Sequence, residues 1–198
     1  GKHHTRLVLL WFGTWNNGSN HYTPVWMKTN PGRYPNVLGK SGKPIDSPSP
    51  FSEEGMVADG KAFASLMQHL KNTDRSHTVI MVQVENEPGA WDSVRDYSEG
   101  AATTTGKTWK EVFGERADEY FHAWFVARYI GRVAAAGKSA YQLPLYVNAA
   151  LRDPLTDPPA TQYESGGPTD NVIPIWKRLP RRSISSPRIS TWRVTIAC

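Results

Sequence analysis

Two glutamates, Glu85 and Glu87, end the apolar run of residues 78–84. That run is rich in Val and predicts a buried strand. Because side chains alternate along a strand, both carboxyl groups are predicted to share one face with Gln83. A polar row on a buried strand is costly unless it faces a polar interior. Desolvation of a carboxyl group favours its neutral form, which makes Glu87 a candidate general acid.

A structural role is the alternative for Glu87, in which it ends the strand and caps the turn at Pro88 and Gly89. For an isolated glutamate at the end of a strand, this alternative would be preferred. The neighbouring Asn86 and Pro88, together with the second buried acid Glu85, favour a chemical role instead.

Strands that alternate with helices are expected to position these glutamates. The apolar runs of residues 7–12, 78–84 and 143–151 predict three strands, the first of them buried on both faces. Helical periodicity predicts helices over residues 57–71 and 117–136. Helical connections between buried strands imply parallel βαβ units, so the predicted fold class is α/β.

Shorter elements complete the predicted order. Residues 108–113 predict a short helix with Thr108 as its N-cap, and residues 170–176 predict the start of another. Gly137 is predicted to cap the C-terminus of the long helix. Residues 13–55 are predicted to form a long polar loop. The inward face of the first helix is predicted to hold Phe63, Leu66, Met67 and Leu70.

The loops that follow the predicted strands are long and carry many polar and aromatic residues. In a (β/α)8 barrel, loops at the carboxyl ends of the strands build the active site. A doubly wound sheet is the competing architecture, but no glycine-rich phosphate loop follows any predicted strand. We therefore expect part of a (β/α)8 TIM barrel.

Two segments resemble one group of known enzymes. Asn86-Glu87-Pro88 at the end of a strand resembles the acid/base motif of clan A glycoside hydrolases. The string Gln83-Val84-Glu85-Asn86-Glu87 is similar to the β-galactosidases of glycoside hydrolase family 35 and to their family 42-like relatives. Residues 7–26 resemble the third-strand segment of the same enzymes. The resemblance covers about residues 6–176.

The resemblance implies a fragment of a retaining β-galactosidase that holds about strands three to five of the barrel. Glu87 would act as acid/base, and Asn86 would bind the sugar 2-hydroxyl group. The nucleophile, a second carboxylate about 5–5.5 Å from the first, would lie after the seventh strand and outside this chain. The expected substrate is a terminal β-galactoside, and no cofactor or metal is expected. We predict that the chain alone is inactive.

Five further residues are weaker candidates for substrate contacts. Trp15 and Asn17 follow the first strand and are suited to stack on a sugar and to hydrogen-bond it, but packing within the loop is an equal alternative. Trp91, just after the acid/base turn, has the same two interpretations. Tyr146 and Asn148 share a face of the third strand, and core packing is the preferred interpretation for Tyr146.

Other titratable residues carry no functional prediction. His3 and His4 are adjacent, so their side chains would point to opposite faces of a strand, and together with His21 they are interpreted as solvated residues rather than metal ligands. Glu164 is a single acid in a polar loop and has no support as the missing nucleophile.

Charge divides the 198 residues into two parts. Six of the 23 Lys and Arg residues lie in residues 177–198, which contain no acid, while residues 1–176 carry 17 basic and 18 acidic residues. We predict that 1–176 is the partial catalytic domain. We predict that 177–198 lies outside the fold and arises from a shifted reading frame or a gene fragment.

Two other functions remain as alternatives. One is a non-catalytic carbohydrate-binding protein that uses the Trp-rich loops, and the other is binding of RNA or an anionic surface by the basic tail. Neither nucleic acid nor a membrane is the preferred partner. No apolar run approaches the roughly 18 residues that a membrane span needs.

Overall fold

A computed structural model describes residues 5–98, 108–148, 150–153 and 155–178, together with the backbone of residues 196–197. The strands are β1 (Leu7–Trp11), β2 (Asn16–Asn17), β3 (Asn20–His21), β4 (Asn36–Leu38), β5 (Pro44–Pro48), β6 (Val79–Val84), β7 (Leu145–Asn148) and β8 (Ile196–Ala197). The helices are α1 (Val25–Lys28), α2 (Glu53–Thr73), α3 (Trp109–Phe113), α4 (Ala117–Ala140) and α5 (Ile173–Lys177), with a 3₁₀ turn at Gly114–Arg116.

A parallel sheet is the centre of the fold. Its strands lie in the order β1, β6, β7 and β8, and every neighbouring pair is parallel. Helix α2 connects β1 to β6 and α4 connects β6 to β7, as the alternation of strands and helices predicts. The mixed α/β class with a parallel sheet is therefore confirmed, whereas closure into a barrel stays a prediction.

Strand β1 differs from its prediction because it is not buried on both faces. Leu7, Val8 and Leu10 are each close to half exposed, and Leu9 and Trp11 are partly buried. Among the described residues β1 pairs only with β6, so it forms an edge of the sheet. An apolar run does not distinguish a central strand from an edge strand, and this explains the error.

Helix α2 packs its predicted apolar face against the sheet and against α4. Phe63, Met67 and Leu70 are buried as predicted, and Leu66 packs at the margin of the same core. The helix begins at Glu53, earlier than predicted, because the Ser52 side chain accepts a hydrogen bond from the N–H of Gly55 and caps the first turn.

The prediction that Gly137 caps α4 is wrong, because the helix continues to Ala140. A Cβ atom at position 137 would lie 2.3 Å from Cε1 of Phe63. Glycine is therefore required here by the close approach of α2 and not by the end of the helix. The short helix α3 has its predicted cap: Thr108 forms a capping box with Glu111.

The prediction of one loop over residues 13–55 is also wrong. The segment contains a tight hairpin of β2 and β3, the single turn α1, and a second hairpin of β4 and β5. Each strand is two to five residues long, too short for a pattern of alternating hydrophobicity to stand out from a polar, proline-rich background.

The other bounds differ from their predictions by a few residues. Strand β7 covers four residues of the predicted run 143–151, and α5 begins three residues later than predicted. Residues 99–107 and most of the basic tail lie outside the described residues. The boundary at residue 176 thus stays a prediction. None of the helices that the structure describes is long and apolar enough to cross a membrane.

Candidate active site

Directly after β6 the backbone leaves the extended conformation. Glu85 has a φ of 61° and Glu87 a φ of 43°, both in the left-handed region that non-glycine residues seldom adopt. The predicted alternation of side chains therefore ends at Val84, and Gln83, Glu85 and Glu87 do not share one face. Backbone strain of this kind is concentrated at functional sites.

Asn86 is the centre of a buried hydrogen-bond network. Its Oδ1 accepts hydrogen bonds from Nε2 of Gln83 (2.9 Å) and from Nδ2 of Asn148 (2.8 Å). Its Nδ2 donates to the carbonyl oxygen of Asn16 at 2.9 Å. Three strands, β6, β7 and β2, thereby fix the orientation of one amide.

Glu87 is half-buried beside this network. Its backbone N–H donates to Oδ1 of Asn148 at 2.9 Å. The side chain of Asn148 therefore holds both Asn86 and Glu87. Its Oε2 accepts a hydrogen bond from the N–H of Gly18 at 3.3 Å. The carboxyl group of Glu87 thus lies at the carboxyl end of the parallel sheet, between the loops that follow β1 and β7.

The loop that follows β7 packs directly on the turn of residues 85–89. Ala90 and Ser165 exchange two backbone hydrogen bonds, at 2.9 and 3.1 Å. At Gly89, with a φ of 146°, a Cβ atom would lie 2.4 Å from the carbonyl oxygen of Glu164. At Gly167 it would lie 2.1 Å from the carbonyl oxygen of Pro88. Glycines on both sides therefore allow the two backbones to touch.

This packing brings Glu164 to the site. The residue is 7% exposed. Burial raises the pKa of its carboxyl group, the charge of Glu87 raises that pKa further, and hydrogen bonding that includes the Asn16 side chain opposes the rise. Sequence reasoning assigned no role to Glu164 or Asn16. No local motif marks either of them, because their proximity to Glu87 depends on contacts between distant loops.

Glu85 has surroundings unlike those of Glu87. It is fully buried, and its Oε2 accepts hydrogen bonds from the backbone N–H groups of Gly13, Thr14 and Trp15 at 3.1, 3.1 and 3.3 Å. Burial, together with the nearby carboxylate of Asp59, holds the pKa of Glu85 well above its ordinary value. Glu85 therefore lies beneath the site, under the loop that follows β1.

The remaining predicted contacts fall in different environments. Trp15 is 2% exposed and packs edge-on against Tyr129. Its Nε1–H donates a hydrogen bond to the carbonyl oxygen of Gly89 at 3.1 Å. This burial favours packing within the loop over contact with a sugar. Asn17 is exposed on the β2–β3 hairpin. Trp91 is 49% exposed, and Tyr146 is half-buried on β7.

Within the described part of the chain, no group of three or more His, Cys, Asp or Glu residues is arranged to hold a metal ion. His3 and His4 lie outside the described residues, and His21 lies 3.8 Å from Asp46 on the surface.

No protein-family model matches this sequence, and no curated protein matches it. Among solved structures, a beta-galactosidase from Bacillus circulans sp. alkalophilus is similar over 64% of this chain, with 13% sequence identity and a TM-score of 0.49. The chain spans 25% of the length of that protein. This similarity is too low to define a family or a function.

Proposed function

We propose that this chain supplies the acid/base part of a retaining glycoside hydrolase site of the β-galactosidase type. The observation that carries the proposal is the position of Asn86-Glu87-Pro88 at the carboxyl end of a central parallel strand. Asn148, at the end of the next strand, supports the arrangement because it holds both Asn86 and Glu87. Catalytic groups occupy this end of the strands in barrel enzymes.

The proposed chemistry is a double displacement. Glu87 donates its proton to the glycosidic oxygen while that oxygen leaves the anomeric carbon, and a second carboxylate attacks this carbon from the opposite face. Glu87, now ionised, removes a proton from water as the water displaces the second carboxylate. The sugar is released with its original anomeric configuration, and both carboxyl groups return to their starting states.

Asn86 is proposed to bind the 2-hydroxyl group of the sugar. An amide nitrogen carries two hydrogens, and the bond from Nδ2 to the Asn16 carbonyl uses one of them. The second hydrogen is available to a hydroxyl group of the substrate. The bonds from Gln83 and Asn148 to Oδ1 fix the amide before substrate arrives, which limits the entropy lost on binding.

The nucleophile is proposed to come from a barrel strand outside these 198 residues. The order β1, β6 and β7 follows the order of the chain, as in an arc of a (β/α)8 barrel. The half-exposed apolar side chains of Leu7, Val8 and Leu10 on β1 support a further neighbour at that edge.

Turnover of a nitrophenyl β-galactoside tests the assignment of the nucleophile. We expect no turnover by this chain, because only one of the two required carboxylates is proposed to lie within it. If turnover is observed, disappears in Glu87→Gln and persists in the surface control Glu115→Gln, then the nucleophile must lie within this chain. A fluorinated galactoside that traps the glycosyl-enzyme would then identify the attacking residue.

Binding of a thiogalactoside tests the sugar site without requiring turnover. We expect Asn86→Ala to weaken binding about tenfold, which corresponds to one lost hydrogen bond of about 1.4 kcal/mol. Glu115→Gln is expected to leave the affinity unchanged. Failure of the folded chain to bind any β-galactoside would contradict the proposal.

A non-catalytic carbohydrate-binding protein is the second candidate. Trp91 and Trp26 are each about half exposed, and exposed indole rings are suited to stack on sugars. Binding that survives Glu87→Ala without hydrolysis, and that is lost in Trp91→Ala, would favour this function over the first.

A further inference from the structure

Beneath the candidate site, two acidic side chains from different elements meet in the core. Glu85 follows β6 and is fully buried, and Asp59 lies on α2 with 4% exposure. A Cβ atom at Gly13 would lie 2.3 Å from Oε1 of Glu85 and 2.4 Å from Oδ1 of Asp59. The two carboxyl groups therefore approach the same point, next to a residue that has no side chain.

One oxygen of each carboxyl group has ordinary hydrogen-bond donors. Oε2 of Glu85 accepts the three backbone N–H groups of residues 13–15, and Oδ1 of Asp59 accepts Nε1–H of Trp11 at 2.9 Å. The two other oxygens, Oε1 of Glu85 and Oδ2 of Asp59, have no hydrogen-bond partner. Unsatisfied acceptors in a core are costly, and a proton on one carboxyl group would satisfy both groups.

No cation neutralises the pair in the described part of the chain. None of its ion pairs includes Asp59 or Glu85. The groups that face the carboxyl groups are Trp11 from β1, the Thr14 hydroxyl from the following loop and the Tyr129 phenol from α4. Two ionised carboxylates in such surroundings would repel each other, and only neutral donors, with no cation, would offset that repulsion.

We propose that Asp59 and Glu85 share one proton, and that this acid pair fixes the loop of residues 13–15 over the carboxyl end of β6. The loop leads directly into Asn16 and Gly18, which contact Asn86 and Glu87. Asp59 and Glu85 are thus positioning residues for that surface. The proposal does not depend on the proposed function, because it concerns the protonation and placement of the chain's own groups.

The raised pKa of Glu85 agrees with this geometry and sets the direction of the pH dependence. A carboxyl group whose pKa is higher in the folded state than in the unfolded state stabilises the fold at low pH. That contribution is lost as the pH rises through the raised pKa. The Tyr129 phenol does not titrate in this window, since burial raises its pKa well above 10.0.

The protonation state is tested directly on the wild-type protein. At about pH 7, the ¹³C spectrum of the labelled chain should contain a carboxyl signal at the position of a protonated acid. That signal should disappear in both Glu85→Gln and Asp59→Asn and persist in Glu115→Gln. Carboxyl signals that are all ionised at this pH would overturn the proposal.

Stability measurements provide a second readout. Glutamine at position 85 can accept the three backbone hydrogen bonds and donate to Asp59, and so imitates the protonated acid. From about pH 7 to about pH 9, above the range in which His122 affects stability, the urea midpoint of the wild type should fall while that of Glu85→Gln stays nearly level. A wild-type midpoint that rises over this range would contradict the shared proton. If added Na⁺ or Ca²⁺ stabilises the wild type but not Glu85→Gln, the acid pair binds a cation instead of sharing a proton, and the proposal is wrong.

Discussion

Two glutamates separated by one residue have different environments because the backbone turns between them. Glu85 points into the core, where three backbone N–H groups and Asp59 surround it. Glu87 stays half-buried between two loops, with Gly18 as its donor. A regular strand would have placed both carboxyl groups on one face of the sheet, in surroundings of the same polarity. The positive φ angles therefore separate a positioning acid from a candidate catalytic acid.

At Gly89 the turn depends on the absence of a side chain. We expect Gly89→Ala to destabilise the protein by about 1–3 kcal/mol or more, because a φ of 146° is unfavourable for alanine and its Cβ would collide with Glu164. Urea unfolding measures the loss. Gly42→Ala is the control, since Gly42 also has positive φ but no atom within 4 Å of its Cβ position. Equal losses in the two variants would exclude the collision as the cause.

How far the site could be predicted also depends on single residues. Asn86 and Glu87 could be selected from the sequence, because the motif is local and follows an apolar run. Glu164 and Asn16 could not, because both reach the site from distant loops. Glycine contacts bring Glu164 to the turn at Pro88, and a hydrogen bond between residues 70 positions apart joins Asn16 to Asn86. The burial of Trp15 could not be predicted either, because an indole ring in a loop is suited both to packing and to sugar binding.

Helices α2 and α4 form the layer that supports the sheet. Phe63 and Met67 of α2 pack against α4 at Gly137, where a Cβ atom would lie 2.3 Å from the Phe63 ring and 3.1 Å from Cγ of Met67. Helical periodicity predicted these apolar faces because each extends over several turns. It could not predict that a glycine near the end of α4 is a contact point, since glycine at that place is also typical of a C-cap.

Two glycines of α4 provide a matched test of this contact. We expect Gly137→Ala to destabilise the protein by about 1–3 kcal/mol through overpacking against Phe63. Gly131 has open space at its Cβ position, so Gly131→Ala should stabilise the helix by about 0.5–1 kcal/mol. Thermal and urea unfolding distinguish the opposite signs. A stabilising Gly137→Ala would show that α2 moves away without cost.

The whole molecule is expected to lose stability at acidic pH through a buried histidine. His122 is 1% exposed, and burial lowers its pKa from 6.5 to about 4. The unfolded chain therefore binds a proton between these values that the folded protein does not, and stability falls as the pH decreases through that window. Asp74 acts in the same direction, because the N–H groups of Val79 and Thr78 lower the pKa of its carboxylate.

His122→Gln tests this contribution, which amounts to about 3 kcal/mol across the window between 6.5 and about 4. We expect the variant to lose less stability than the wild type when both are unfolded in urea at decreasing pH. The exposed His69 supplies the control, since His69→Gln removes an imidazole from the surface of α2. If the stability of His122→Gln falls with decreasing pH as steeply as that of the wild type, the carboxylates and not His122 cause the acid sensitivity.

Among the described residues, β1 has a neighbouring strand on one side only, and this exposed edge affects the behaviour of the protein in solution. Its apolar side chains and unpaired backbone groups form a template on which a second chain could add a strand, and charge is the usual protection against such association. Here the excess charge lies in residues 177–198, while the other 176 residues carry nearly equal numbers of acids and bases. Long-range repulsion therefore gives the edge little protection, and colloidal stability depends on what covers β1.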